Sequence, residues 1–295
     1  MKLGILGGSG LYQLEGLTNV REVALDTPFG KPSDTYIHGT LEGMEVFFLP
    51  RHARGHRILP SEINHKANIW GFKKLGVEQV LSVSAVGSLR EGLRPRDIVL
   101  PNQYFDRTKP SLNHTFFGNG IVGHVSFGDP ACEALRDAVA ETAVEAVSGL
   151  GLGDKVRVVR GGTYVNMEGP AFSTRAESNV YRQLGFDIIG MTSLPEAKLC
   201  REAELCYQAM AMVTDYDCWR VSEEEVSVEM IIATLQANVS LAKDILRRLV
   251  RRLPATRTCA CSQALRTAIM TDWKLIPKAT LEALEPLIGK YRPQG

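Results

Sequence analysis

The chain has no apolar run that approaches bilayer-spanning length, which excludes a helical membrane protein. Its first ten residues, MKLGILGGSG, are too short and too glycine-rich for a secretory leader, so a cytoplasmic location is expected. Nor is there an excess of charge of one sign. Lys plus Arg number 34 and Asp plus Glu 33, and a net charge of +1 argues against nucleic acid or a membrane surface as a partner. Cysteine is sparse, with six in 295 residues. Cys132, Cys200, Cys206 and Cys218 sit in apolar surroundings and read as buried thiols. Cys259-Ala-Cys261 is a close pair near the end of the chain. A strained disulfide there is possible, but reduced thiols are the default in a cytosol. A zinc ion would need two further ligands and none lies nearby in sequence, so no metal is expected. Repeats and linkers are absent as well. What remains, 44% hydrophobic and 23% charged, is the profile of an ordinary globular chain with a substantial core.

What is present is a series of short apolar runs, each ending in a polar or glycine residue. The most informative is YQAMAMVTDYDCW, Tyr207 to Trp219. Ala209 to Val213 has the texture of a strand buried on both faces. Thr214 then leads into Asp215-Tyr216-Asp217. In extended backbone residues i and i+2 point to one side, so both acids are expected to face one space past the strand end, where ligands of open α/β sheets bind. Two carboxylates suit a planar ligand with an amine beside a basic ring nitrogen. Capping a following helix, or facing water, would use the same residues.

The other runs follow the same plan. Leu3 to Leu6 enters Gly7-Gly8-Ser9-Gly10, a loop able to close on an anion, though a plain turn explains it equally well. Asp34–Leu41 and Glu45–Leu49 read as a hairpin around Glu42-Gly43. After Pro50 comes Arg51-His52-Ala53-Arg54-Gly55-His56-Arg57, a positive rim suited to an anionic substrate. Asn64–Leu75 reads as a helix closed by Gly76, and Gln79–Val83 as a strand entering a small-residue loop, Ser84 to Ser88. Ile98–Leu100 is a further strand. Residues 107–128 show no period and read as a long loop carrying His114 and His124. Then come a helix over Cys132–Val147, a strand over Lys155–Thr163, a helix starting near Ser173 with Glu177 supporting its first turns, a strand ending at Thr192, and a helix over Leu194–Ala203. From Val226 to Leu253 apolar residues keep helical spacing. Strands alternating with helices imply a single α/β domain over 1–253, with a helical extension over 254–295. Hydroxyls or charges recur at strand ends at 9, 51, 84, 192 and 215, and that convergence argues for one site.

The motifs GGSG, DTPFGKPSD (Asp26–Asp34), RHARGH, ANIW (Ala67–Trp70), GSLRE (Gly87–Glu91), EGPAFSTRAES (Glu168–Ser178) and TDYDCW together resemble the trimeric purine nucleoside phosphorylase family, in its branch acting on 5′-methylthioadenosine. The likeness runs in order from Gly4 to about Leu253. It implies the nucleoside phosphorylase fold, a central mixed sheet flanked by helices, and phosphate-dependent cleavage to adenine and 5-methylthioribose 1-phosphate. It also implies a phosphate site of Ser9, Arg51, His52, Ser84, Ala85 and Thr192, with Met191 against the ribose and Phe172 near the base. Asp215 and Asp217 would hold the base, Asp215 as general acid. Val228 and Ile231 would line the pocket for the sugar's 5′ group, with His56 a further candidate there. His124 would reach a neighbouring subunit's site, making a homotrimer or a dimer of trimers part of the expectation. No cofactor is implied, since phosphate is a co-substrate. Val86 stands where some relatives have cysteine, and the Cys-x-Cys tail resembles that of some thermophilic members. A 6-oxopurine or methylthioinosine phosphorylase, a broad purine nucleoside phosphorylase, and a non-catalytic nucleoside-binding protein are the alternatives; Asp217 argues against the 6-oxopurine reading.

Overall fold

A computed structural model describes residues 1–8, 11, 13–109, 112–220 and 228–293, without the side chains of residues 112 and 228–233. Eleven strands form one mixed sheet: β1 (Lys2–Gly7), β2 (Leu17–Val23), β3 (Tyr36–Leu41), β4 (Met44–Pro50), β5 (Gln79–Ser88), β6 (Ile98–Leu100), β7 (Gln103–Asp106), β8 (Val158–Arg160), β9 (Thr163–Asn166), β10 (Ile188–Gly190) and β11 (Cys206–Asp215). The helices are α1 (His65–Lys74), α2 (Glu133–Gly149), α3 (Arg175–Gln183), α4 (Ser193–Glu202), α5 (Val228–Arg252) and α6 (Lys278–Ile288). The main path runs β2-β3-β4-β1-β5-β10-β9-β7, and β11, β6 and β8 branch from β5. β5 is the pivot. Its first half pairs in parallel with β1, its last residues pair antiparallel with β10, and β11 runs parallel along it.

Alternation along these strands feeds two cores, because successive side chains leave a sheet on opposite faces. Leu3, Ile5, Leu81 and Met210 meet Val139 and Ala143 of α2 and Ile245 and Leu249 of α5 on one face. Leu6, Leu49, Val80 and Ala209 meet Ile69 and Phe72 of α1, Ala197 of α4, and Leu284 and Leu287 of α6 on the other. Gly71 lets α1 approach the sheet: a Cβ there would lie 2.1 Å from the Tyr36 hydroxyl, which donates to the Asn68 carbonyl at 2.8 Å. The end of the chain is fastened to this second core. Trp70 Nε1 donates to the Ala283 carbonyl at 2.9 Å, and Arg257 Nη1 donates to the Glu204 carbonyl at 2.8 Å. No helix of the described residues is long and apolar enough to cross a membrane.

Three differences from the sequence reading have physical causes. β5 continues through Ser84 to Ser88, which read as a loop, because β10 and β11 supply ladders on both of its edges. The strand expected over Lys155–Thr163 is two strands. Gly161 and Gly162 adopt left-handed φ of 100° and 112°, and β8 and β9 on either side pair with different partners. The loop over 107–128 is packed, with Phe116, Phe117 and Ile121 in the second core.

Glu202, in the last turn of α4, holds that loop: its carboxylate accepts from the Phe116 N–H at 2.6 Å and the Thr115 hydroxyl at 2.7 Å. Burial pushes this carboxyl up to about 7, against those donors and Lys66. A folded value above the ordinary 4.5 means the stabilisation is complete below pH 4.5 and lost as pH rises towards 7. Wild type should therefore lose about 3 kcal/mol relative to Glu202→Gln between pH 4.5 and pH 8. Urea midpoints of the two proteins across that range measure it; parallel pH curves would disprove it.

Candidate active site

The strand ends gather at one rim. Gly7 lies beside Pro50 in the β1–β4 register, and the Arg51 N–H donates to the Gly7 carbonyl at 3.0 Å. β11 sets Ala211, Met212 and Val213 against Ser84, Ala85 and Val86 and, after a bulge, Asp215 against Gly87. Ile189 of β10 faces Gly87 from the other edge, which brings Met191 and Thr192 to the same rim. Gly87 lets the acids approach closely, since a Cβ would lie a tight 3.2 Å from Asp215 Oδ1 and 3.3 Å from Asp217 Cβ.

Arg51 turns inward from this rim and is 3% exposed. Its Nε donates to Glu196 Oε1, its Nη2 to Ser82 Oγ at 2.6 Å and to Glu196 Oε2 at 3.4 Å, and its Nη1 to the Val83 carbonyl at 3.3 Å. Of the five N–H groups of a guanidinium, one on Nη1 is left for a ligand. Glu196 also accepts from Ser82 Oγ at 2.7 Å and the Tyr207 hydroxyl at 3.0 Å. Burial opposes the Glu196 charge, but the Arg51 guanidinium outweighs it and holds the carboxyl below its usual range. The sequence reading missed Glu196, Ser82 and Tyr207. Their signal was slight: an acid between Leu194 and Ala197, on a helix face otherwise buried.

His52 follows in a tight loop where Ala53, Gly55 and His56 take left-handed backbone. Its Nδ1 lies 2.8 Å from the Ile58 carbonyl, an acceptor only, so Nδ1 carries the proton and Nε2 offers a lone pair. Burial, with Arg51 adding to it, lowers His52 to about 4, so the ring is neutral at pH 7. His56 is exposed and stacks on His52 with centroids 4.5 Å apart.

The two acids do converge, but through a turn rather than extended chain. Asp217 has φ of 52°, and its N–H donates to Asp215 Oδ1 at 2.7 Å. The Thr214 hydroxyl donates to Asp215 Oδ2 at 2.7 Å. Both Asp215 oxygens thus already accept hydrogen bonds. Asp217 differs: its Oδ2 is buried and makes no well-aligned bond among the described residues, the hydroxyl beside it being that of Ser178. Burial pushes the Asp217 carboxyl up, as does Asp215, against the nearby Ser178 hydroxyl. Trp219 anchors the turn, donating from Nε1 to the Ser88 carbonyl at 2.7 Å beneath the Arg182 guanidinium.

Ser84 Oγ and the Tyr164 hydroxyl are buried close to each other and make no other side-chain bond among the described residues, and Ala85 is exposed. Thr192 is the N-cap of α4 and makes no side-chain capping bond, while the Leu194 N–H in the first turn of that helix already donates to Asn166 Oδ1 at 3.1 Å. Met191 packs under Gly169, where a Cβ would meet its Sδ at 2.4 Å. Phe172 is 79% exposed. His124 is exposed, with its N–H donating to the Ala268 carbonyl at 2.9 Å, and among the described residues no hydrogen bond joins it to the rim. Ser9 lies outside the described residues, as do the side chains of Val228 and Ile231. One expectation fails. Cys259 and Cys261 have companions after all, since Cys132 and Cys206 bring their sulfurs to them from distant parts of the chain.

Residues 2–251 match the family described as the phosphorylase superfamily. The chain is 54% identical over 289 residues to S-methyl-5'-thioadenosine phosphorylase of Geobacter sulfurreducens, covering 98% of each. A crystal structure of methylthioadenosine phosphorylase from an Antarctic soil metagenomic library superposes with a TM-score of 0.90 at 44% identity, covering 97% of this chain and 98% of that one. A mutant adenosine/methylthioadenosine phosphorylase from Schistosoma mansoni, in complex with methylthioadenosine, gives 0.77 at 32% identity, with 98% of each chain covered.

The Arg51–Glu196 pair makes a direct prediction. Glu196→Ala leaves a buried guanidinium without its counter-charge and should cost about 3–5 kcal/mol, whereas joint replacement of both by apolar residues should recover much of that loss. Denaturant unfolding of the single and double variants reads this; a single-variant cost below about 1 kcal/mol would contradict the pairing.

Proposed function

The chain belongs to the phosphorylase superfamily, and on that footing we propose that it cleaves S-methyl-5'-thioadenosine with inorganic phosphate, giving adenine and 5-methylthioribose 1-phosphate. The observation that carries the reading is the buried Asp217 carboxyl beside Asp215, met only by the Ser178 hydroxyl among the described residues, on the same rim as the buried Ser84 hydroxyl. Buried polar atoms short of partners are costly, and a base at one end and a phosphate at the other would satisfy both. Relatives named for methylthioadenosine share about half of the sequence.

A phosphate oxygen bonds to the anomeric carbon as the bond from that carbon to the purine nitrogen breaks, and the electron pair leaves with the base. The sugar passes through an oxocarbenium-like state, so the protein's work is placement and charge stabilisation. Ser84, Thr192, the Ala85 backbone and the spare Arg51 N–H hold phosphate. The neutral His52, as acceptor, receives the hydroxyl of monohydrogen phosphate. Asp217 takes the exocyclic amine and Asp215 lies at the ring nitrogen that is protonated as the base departs. The pair supplies that proton: burial favours the protonated form of Asp217, and as the bond breaks the proton passes through Asp215, the general acid, to the ring nitrogen, leaving Asp217 as the carboxylate that accepts from the exocyclic amine. No cofactor takes part. The same reading assigns Met191 to the ribose and Phe172 to the base, and Val228, Ile231 and His56 to the 5′ group.

The protein is further proposed to be cytoplasmic and to act as a homotrimer or dimer of trimers, with His124 completing a neighbouring site. The exposed Val180 on α3 and Leu184 at its C-cap, one turn apart, support a subunit contact there.

Adenine release from methylthioadenosine that depends strictly on phosphate tests the reaction; release without phosphate, or none, would refute it. Asp217→Asn should weaken 6-aminopurine substrates and relatively favour 6-oxopurines, because an amide N–H₂ opposes the exocyclic amine. An unchanged ratio of kcat/KM between methylthioadenosine and methylthioinosine would count against the base assignment. Since the Asp217 carboxyl lies above its usual range, wild-type rate should fall as pH rises through that raised value. A rate independent of pH on the alkaline side would remove the acid from the mechanism.

A further inference from the structure

Four sulfurs meet at the end of the sheet remote from the acids. Cys132 caps the N-terminus of α2, Cys206 begins β11, and Cys259 and Cys261 flank Ala260 in the final segment. Their Sγ atoms all lie within 4.8 Å of one another, with Cys206 and Cys259 at 3.2 Å and all four thiols free. A zinc ion bound by four thiolates at about 2.3 Å spaces its sulfurs about 3.8 Å apart, which is the scale of this cluster. Cys132 and Cys206 are fully enclosed, at 3% and 0% exposure, while Cys259 and Cys261 are half-buried against the same core.

We propose that Cys132, Cys206, Cys259 and Cys261 form a structural tetrathiolate site for a zinc ion. Coordination forms four Zn–S bonds and releases the thiol protons to solvent. The four ligands leave no open position, so the site holds structure and does not catalyse. The resulting charge has partial compensation at hand. Arg257 Nη1 stands 4.0 Å from Cys206 Sγ while bonding the Glu78 and Glu204 carbonyls at 3.1 and 2.8 Å, and the positive end of α2 faces Cys132. A tetrahedral set of four thiolates selects zinc over harder cations such as magnesium or calcium.

The ion would clamp three stretches far apart in sequence: the start of α2, the start of β11 and the tail. β11 is ten residues long, about 30 Å of extended chain, so Asp215 lies well away from the metal. Removing the metal should loosen the tail and spare the turnover chemistry.

The test begins with wild-type protein purified without chelator. About one zinc per chain by elemental analysis is expected, together with six thiols titrated in denaturant and chelator without reductant. Exchange of zinc for Co²⁺ should give the charge-transfer absorption of a tetrahedral cobalt thiolate. Cys259→Ser/Cys261→Ser should lose the zinc and lower Tm while kcat stays within about twofold. Fewer than six thiols with no zinc would replace the proposal with disulfides. Six thiols with neither zinc nor a cobalt thiolate spectrum, or iron in place of zinc, would also overturn it. The wild-type measurements decide the matter even if the double variant fails to fold.

Discussion

The rim depends on a charge pair that is not itself at the surface. Arg51 and Glu196 are 3% and 1% exposed, and such a pair is stable only when its remaining donors and acceptors are met. Here they are met by Ser82, the Val83 carbonyl and the Tyr207 hydroxyl. Those groups belong to the exit of β4, to β5, to α4 and to β11. One interaction therefore sets the relative position of three strands and a helix. Ser84 follows Ser82 by two residues, and Thr192 caps the helix that carries Glu196. Both hydroxyls take their places at the rim from the pair beneath them.

The same pair explains what the basic loop does. Seven residues rich in arginine and histidine read as a cluster of positive charge, but the structure distributes them otherwise. Arg51 is neutralised from below, Arg54 is bonded to Glu22 and Asp34, and His52 is held neutral by burial. At Arg51 and His52 what remains is one directed donor and one lone pair, while Arg57 stays exposed. That arrangement selects by geometry and protonation state, where a cluster of free charges would attract any anion.

Much of the fold was legible because burial writes itself into apolar runs. β4, β6, β10 and β11 lie near where their sequences place them, and α2 and α5 follow their helical period. β2 was not legible: LTNVREV is exposed or half-exposed throughout, an edge strand with no buried face to set a pattern. The candidate residues were legible as strand-end polars, since the topology sends those ends to one rim. Glu196 was not, because an acid in a helix's first turn is ordinarily a complement to the dipole. The turn at Asp217 was hidden too, since nothing in Asp-Tyr-Asp announces a left-handed residue. The cysteine cluster escaped for another reason. Its members are 132, 206, 259 and 261, and a test that looks for ligands near Cys259 in sequence is blind to a site assembled by tertiary packing.

The two ends of β11 are built on opposite terms. At the Asp215 end Ser84 Oγ, the Tyr164 hydroxyl and Asp217 Oδ2 are buried, with only one another or the Ser178 hydroxyl close by among the described residues. At the Cys206 end the tail supplies partners for the buried Glu204, while Gln79 Oε1 stays unpaired among the described residues. Glu204, fully buried with φ of 56°, accepts from the Leu265 N–H at 3.0 Å and the Tyr291 hydroxyl at 2.5 Å, and Lys290 Nζ lies 2.5 Å away. A sheet that kept both edges unsatisfied would have little margin, since native stability is itself only about 5–15 kcal/mol. Closing one edge with the chain's own terminal segment lets the other stay open for ligands. The tail therefore touches no rim residue through any described contact and still bears on the site, by stabilising the strand whose far end carries the acids.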